Sequence, residues 1–268
     1  MKRALRGKQR AASWNEYASG WLEGRRQQLW RSHSDAVNGR LISAWLPPGR
    51  SKRLLKTDLF DEAVTQGLHE LLQGRAETVV GLDVSTRVIA AATRRHPRLV
   101  SLAADVRSLP IEDESIDAVV SLSTLDHFET LDGLEQALAE LLRILVPGGT
   151  LVLTLDNLTN PVIAVRNALP YRLTHSVGLV PYPIGKTQGP TRIHRLVEEA
   201  GFDVEDCTAI MHAPRILAVP VLGILARLTR GVLPSVVSRA LLGFEHLGSV
   251  PTRFITGHFI AIRAVKPL

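Results

Sequence analysis

Apolar positions in this chain fall into two alternating rhythms. Short runs dense in β-branched residues, such as Glu77-Thr-Val-Val-Gly-Leu-Asp83, Asp117-Ala-Val-Val-Ser-Leu122 and Thr150-Leu-Val-Leu-Thr-Leu155, have strand character. Between them lie stretches with apolar residues three or four apart. These predict helices over Leu59 to Gly74, Ser85 to Arg95 (capped by Ser85) and Leu131 to Leu145. Arg53 to Thr57 and Leu99 to Ala103 complete the strand set in the middle of the chain. Strands alternating with helices of this length imply βαβ units, right-handed crossovers and a parallel sheet covered on both faces. Before them, Ser13 to Arg31 predicts a helix carrying Trp14, Tyr17, Trp21, Leu22 and Leu29. Asp35 to Trp45 predicts a shorter one, capped by Ser34 or Asp35 and stopped by Pro47-Pro48-Gly49.

In such sheets, ligands bind beyond the carboxyl ends of the strands. The positions that matter are therefore Thr57 to Glu62, Asp83 to Ser85, Asp105-Val106, Ser121 to His127 and Asp156 to Asn160. Asp83 at a strand end suits the two hydroxyls of a ribose, although a carboxylate also belongs ahead of a helix start on electrostatic grounds. Asp105 after the next strand offers an acceptor for the exocyclic amine of adenine, with Val106 against the ring.

Val80-Gly-Leu-Asp-Val-Ser85, Ala104-Asp-Val-Arg-Ser-Leu-Pro110, Ser115-Ile-Asp-Ala-Val-Val-Ser121 and Leu141-Leu-Arg-Ile-Leu-Val-Pro-Gly-Gly-Thr-Leu-Val-Leu153 occur in this order and spacing. Together they resemble the class I S-adenosylmethionine-dependent methyltransferases of the small-molecule type. The resemblance implies a doubly wound α/β fold of the Rossmann-like kind, with seven strands, six parallel and the last reversed. Ile193 to Gly201, Phe202-Asp-Val204 and Phe254 to Arg263 then become the last crossover helix, the sixth strand and the closing strand. The domain plan it implies is a basic arm and helical lid over 1–50, and a methyltransferase-like domain over 51–268 with a helical insertion near 210–250. The implied cofactor is S-adenosylmethionine, held by Thr57, Asp58, Glu62, Asp83, Val84, Asp105, Val106 and Ser121.

The departure lies after the first strand. The family places a glycine-rich loop there, where glycines let the backbone approach the methionine half of the cofactor. This chain runs Asp58-Leu-Phe-Asp-Glu-Ala63, with no glycine. Either Asp58, Asp61 or Glu62 faces the cofactor's cationic groups, or the site is lost and the fold serves a membrane-surface or interaction role without catalysis. Asp58 and Asp61 also fit a helix cap with first-turn negative charge, which is compatible with both.

Methyl transfer chiefly requires positioning, and a base only for a hydroxyl or protonated amine. His127, in Ser123-Thr-Leu-Asp-His-Phe128, is the candidate base. His33, Asn157, Asn160 and Tyr182 are the candidate acceptor contacts. Capping by Ser34 or Asp35 near His33, and the helix-start signal Asn160-Pro161, offer plainer explanations for that region and for Asn160. Ala168 to Gly189 is a long insertion suited to covering the site, with Tyr171, His175 and Tyr182 in it.

Charge sharpens the picture. Residues 1–56 carry a net +10, 57–161 a net −10 and 162–268 a net +6. An acidic middle suits a cationic ligand and does not suit nucleic acid. One cysteine, Cys207, excludes a disulfide framework, and the histidines show no metal-ligand spacing. Met1 to Arg10 lacks the apolar core of a signal peptide. Ile216 to Ala226 is 11 residues long, against the roughly 20 of a membrane span. A cytoplasmic enzyme is expected. Trp14, Trp21 and Trp30 beside arginines, and the apolar 208–244 segment with Arg215, Arg227, Arg230 and Arg239, extend that to a peripheral place on an anionic inner membrane face. Packing on the sheet explains the same segments. The acceptor class is correspondingly a small molecule, a sugar or a lipid-linked compound.

Overall fold

The computed structural model describes residues 13–16, 28–170, 185–214 and 240–268. Residues 13–16 form one helical turn. Helix α1, Gln28–Trp45, leads to strand β1, Ser51–Lys56, then short helices α2, Phe60–Val64, and α3, His69–Arg75. Strand β2, Ala76–Asp83, helix α4, Thr86–Arg95, and strand β3, Val100–Ala103, follow. Strand β4, Ile116–Leu122, a 3-10 turn at Leu125–His127, helix α5, Leu131–Ile144, and strand β5, Leu145–Asp156, come next. The chain continues through α6, Pro161–Ala168, α7, Pro190–Glu199, and β6, Asp203–Ile210. It closes with a 3-10 turn at Phe244–Ser249, α8, Arg253–Thr256, and β7, Phe259–Val265.

The seven strands form one sheet in the order β3-β2-β1-β4-β5-β7-β6. All pairs from β3 to β5 are parallel, and β7 runs antiparallel between β5 and β6. The order reverses between β1 and β4, and that switch point opens a crevice at the carboxyl edge. Alternation along the strands feeds two cores. Leu54, Val79, Ala118 and Val120 meet α1, α3 and α4 through Ile42, Leu72 and Ala92 on one face. Leu55, Val119, Leu151 and Ile262 meet α5 and α7 through Leu138, Leu141 and Leu196 on the other. On α5 the buried positions Leu134, Ala137, Leu138 and Leu141 recur at helical spacing, as its sequence required.

Three expected elements take a different form. The helix expected over Leu59 to Gly74 is two helices. Glu62 Oε1 accepts the Leu68 amide at 3.1 Å, and Gly67 adopts φ +53°, so the chain turns back on itself. The helix expected from Asp35 starts by Gln28, which leaves Ser34 and Asp35 inside it and not at a cap. The strand expected from Thr150 begins at Leu145. Most of the expected helix from Ser13 to Arg31 and most of the 208–244 segment lie outside the described residues, as do Tyr171, His175 and Tyr182.

Candidate active site

At the carboxyl edge of β1, β2 and β4 lies a cavity of about 250 Å³. Its floor is the segment after β1. Lys56, the last residue of that strand, is 5% exposed and its ammonium sits 2.8 Å from Glu62 Oε2, itself 1% exposed. The Lys56 ammonium also donates to the Asp58 carbonyl. Burial works against this charge, yet Glu62, Asp58 and Asp61 hold the ammonium above its ordinary pKa. A cation and an anion removed from water together are tolerable only when mutually satisfied, and this pair is.

The floor carries more carboxylates than cations. Asp58 Oδ1 accepts the Phe60 amide at 2.6 Å and its carboxyl is pushed up to about 7, by burial first and then by Asp83 and Asp61, against the pull of Lys56. Asp83 ends β2. Its two oxygens accept one amide each, Ser85 at 2.7 Å and Leu59 at 3.2 Å, and burial raises its pKa to about 6 despite those bonds. Asp61 pairs with Arg31 of α1 at 2.8 Å. Asp35, one helical turn beyond Arg31, is raised to about 7 by burial and by Asp61 and Glu62. Among the described residues, five carboxylates thus gather around Lys56 and Arg31, and a cation entering here would relieve that crowding.

Leu59 locks the floor in place. It is fully buried, and a Cβ built on Gly81 of β2 would lie 2.4 Å from its Cδ2. The walls are mostly apolar and aromatic: Trp14, Trp30, Phe60, Phe128 and Phe259 all line the cavity. His127 also lines it, with its ring in edge contact with Trp14 at 5.3 Å. Gly185 lies over the 3-10 turn so closely that a Cβ there would meet the Asp126 carbonyl oxygen at 2.3 Å. The Lys186 amide donates to the Phe128 carbonyl at 2.6 Å, tying the end of the long insertion to the His127 turn.

Residues 62–153 match the family described as a methyltransferase domain. The chain is 29% identical over 147 residues to a protein of Mycolicibacterium smegmatis named "Probable S-adenosylmethionine-dependent methyltransferase", covering 53% of this chain and 50% of that one. A demethylmenaquinone methyltransferase of Beutenbergia cavernae is 40% identical over 127 residues, covering 47% and 46%. Over residues 62–153 the chain carries a methyltransferase domain, and its relatives include an S-adenosylmethionine-dependent methyltransferase. Among solved structures, the [4+2]-cyclase SpnF superposes with a TM-score of 0.59 at 20% identity, over 92% of this chain and 85% of that one, which is a likeness of fold. The chain spans about half the length of the curated relatives it matches.

S-adenosylmethionine is the cofactor of this methyltransferase family. The side chains fit its charge: the acidic floor suits a ligand with ammonium and sulfonium groups, and the Asp83 carboxylate lines the cavity as an acceptor suited to a ribose hydroxyl. A glycine cradle for the methionine half is absent from the segment after β1, where Asp58 to Glu62 stand instead.

The cavity gathers Thr57, Asp58, Glu62, Asp83, Val84, Asp105, Val106 and His127 from the sequence-predicted set. Several of these are less available than expected. The Glu62 carboxylate is used by Lys56 and Leu68 and cannot reach a ligand without breaking that pair. Arg107 holds Asp105, with Nε 2.9 Å from Oδ1 and Nη2 2.5 Å from Oδ2, so the adenine-amine acceptor is already half-neutralised.

Four predicted contacts need correction. Ser121 is fully buried beneath the cavity and not among the residues lining it; its hydroxyl lies 2.8 Å from that of Thr57, which it positions. His33 is fully buried on another face of α1, 3.9 Å from Glu245, and is not part of the wall. Asn157 and Asn160 give their amide groups to backbone. Asn157 Nδ2 donates to Phe254 O and Gly257 O, and Asn160 Nδ2 to Thr256 O and Gly257 O. Asn160 Oδ1 also caps α6, as its helix-start signal foretold.

The tryptophans need correction too. Trp30 is 6% exposed and Trp14 stands against His127, so neither lies at a headgroup boundary. Sequence reading missed their place in the cavity wall, together with Arg31, Phe60, Phe128 and Phe259. The helical spacing of the early tryptophans was the available signal, and it pointed to an apolar face without saying which surface that face meets.

Proposed function

We propose that this chain transfers a methyl group from S-adenosylmethionine to a small, mainly apolar acceptor. The carrying observation is the juxtaposition of an acidic floor and an aromatic wall in one cavity at the switch point. The bound cofactor supplies an electrophilic methyl on a cationic sulfur. Asp83 holds the ribose hydroxyls, Val84 and Val106 flank the adenine, and Asp105 with Arg107 borders its polar edge. Thr57 and Asp58 stand at the methionine half, and the Asp58 carboxylate faces its positive charge. Trp14, Phe128 and Phe259 exclude water and seat the acceptor, while His127 takes the proton when the acceptor is a hydroxyl.

The apolar character of the wall supports an aromatic or lipid-linked acceptor, and two relatives are named as demethylmenaquinone methyltransferases. The test uses methyl-tritiated S-adenosylmethionine with a panel of phenols, hydroquinones and prenylated quinols, reading label that passes into organic solvent. The expected result is transfer to at least one lipophilic hydroxyl acceptor, reduced at least a hundredfold in His127→Ala. Saturable cofactor binding without label transfer to any member would contradict the proposal.

A further inference from the structure

A buried carboxylate oxygen stands behind the cavity wall without a donor. Asp126 lies in the 3-10 turn Leu125–His127 and is 2% exposed. Its Oδ2 accepts the Ser123 hydroxyl and the Asp156 amide, each at 3.0 Å, which ties the turn to the end of β5. Its Oδ1 is buried and, among the described residues, has no hydrogen-bond partner. Buried carboxylate oxygens are normally paired, so one left alone calls for a reason. Among the described residues, the one basic group within 4.0 Å of Oδ1 is His127, whose Nε2 lies at 4.0 Å. His127 lines the cavity and Asp126 does not.

The surrounding charges leave this oxygen to the imidazole. Burial raises the Asp126 pKa most and Asp156 adds to it, while His127, the Asp156 amide and the Ser123 hydroxyl pull it back. Asp156 has cationic partners of its own. Arg166 of α6 donates to its Oδ2, and His258 Nε2, just before β7, lies 3.5 Å from its Oδ1. Those two basic groups are engaged with Asp156, and the Asp126 charge faces His127. The turn is also pinned in place. Gly185 packs against the Asp126 carbonyl oxygen, and the Lys186 amide binds the Phe128 carbonyl.

We propose that Asp126 is a positioning residue for His127: its Oδ1 holds the ring's Nε2–H, fixes the tautomer that takes a proton from an acceptor hydroxyl, and balances the imidazolium that forms. The inference rests on the reading of His127 as the base. An approach of about 1 Å would bring the pair to hydrogen-bond distance, and catalytic contacts commonly tighten in this way when ligands bind. His127 takes the hydroxyl proton. The electron pair of the broken O–H bond stays on the acceptor oxygen for its new bond to the methyl carbon, and the pair of the breaking carbon–sulfur bond goes to sulfur. Arrival of that proton turns the Asp126–His127 pair from singly negative to neutral, which relieves a buried carboxylate at the moment the base is charged. Asp126 thereby acts on the reaction through His127 and not by touching the acceptor.

The experiment reads the ring directly. Two-bond proton–nitrogen NMR spectra of the isotope-labelled full chain are recorded at about pH 8 without cofactor or acceptor, and the His127 signals are those missing from His127→Gln. In wild type the neutral ring should be almost wholly the Nε2–H tautomer. In Asp126→Asn the two donors on Oδ2 keep the amide oxygen in that place and turn its NH2 toward the ring, so Nδ1–H should become the major form. With an acceptor that wild type methylates, Asp126→Asn should lower kcat roughly a hundredfold and move the acceptor KM by less than about threefold; Asp126→Asn/His127→Gln should be no slower than His127→Gln. A wild-type ring held as Nδ1–H would overturn the proposal whatever the variant does, as would an Asp126→Asn ring with the wild-type tautomer. Losses that add in the double variant would overturn it too, reducing Asp126 to its tie with β5. The expected change of tautomer in a chain that methylates no acceptor would uphold the pair and overturn the methyl-transfer reading alone.

Discussion

Asp58 is a carboxyl with an ordinary pKa near 4 that its surroundings raise to about 7, and its neighbour Asp83 is raised to about 6. A cationic ligand favours the ionised form of both, so binding releases protons. Affinity for S-adenosylmethionine should therefore climb by about tenfold from pH 6 to pH 8, while its uncharged-sulfur product gains less. Calorimetry in buffers of different ionisation enthalpy would read both the affinity and the proton release. Asp58→Asn should flatten the climb and weaken the cofactor more than the product, by a Coulomb difference of about 1–4 kcal/mol. Equal loss for both ligands would reduce Asp58 to its Asx-type bond with the Phe60 amide. His33 shows the opposite sign. Burial first, and then Arg40, lowers its pKa to about 4. A base with a depressed folded pKa contributes stability that is full above its unfolded value of 6.5 and is lost as pH falls toward 4. Urea melts should lose about 2 kcal/mol between pH 7 and pH 5 from this residue, and His33→Gln should remove that slope.

At the scale of elements, the segment after β1 holds together without glycine because three local devices replace it. The Lys56–Glu62 pair folds α2 back under the strand, the Glu62 bond to the Leu68 amide sets the turn into α3, and Leu59 wedges against Gly81. Glu62→Gln leaves a buried ammonium without its partner and should cost about 3–5 kcal/mol in urea melts. Lys56→Met/Glu62→Leu should recover most of that. Gly81→Ala should cost about 1–3 kcal/mol by overpacking, and Leu59→Ala in the same chain should cost less than the sum of the two single changes. The strands, the Ser85 cap and the crossover helices were readable in sequence because each depends on nearby residues with one periodicity. The split of 59–74 was not, since it hangs on a bond between Glu62 and a backbone amide six residues on. Asp83 and Val106 were legible as strand-end residues. The occupation of Asp105 by Arg107 and the burial of Ser121 depend on side-chain packing that spacing does not encode.

For the whole molecule, the carboxyl edge of the sheet carries everything with chemical potential: the acidic floor, the aromatic wall, His127 and the Asp126 carboxylate behind it. The acidic middle of the sequence foretold a cationic ligand, and its carboxylates Asp58, Asp61, Glu62 and Asp83 do converge. Of the basic flanks, Trp14 and Trp30 line the cavity, and most of the other residues expected at a membrane surface lie outside the described residues. The central claim is that a glycine-free floor still receives S-adenosylmethionine. Isothermal titration of the purified chain with S-adenosylmethionine and with S-adenosylhomocysteine tests it most directly. Saturable binding of both at one site per chain is predicted, with the cationic ligand gaining more as pH rises from 6 to 8; no saturable heat from either at millimolar concentration would contradict it.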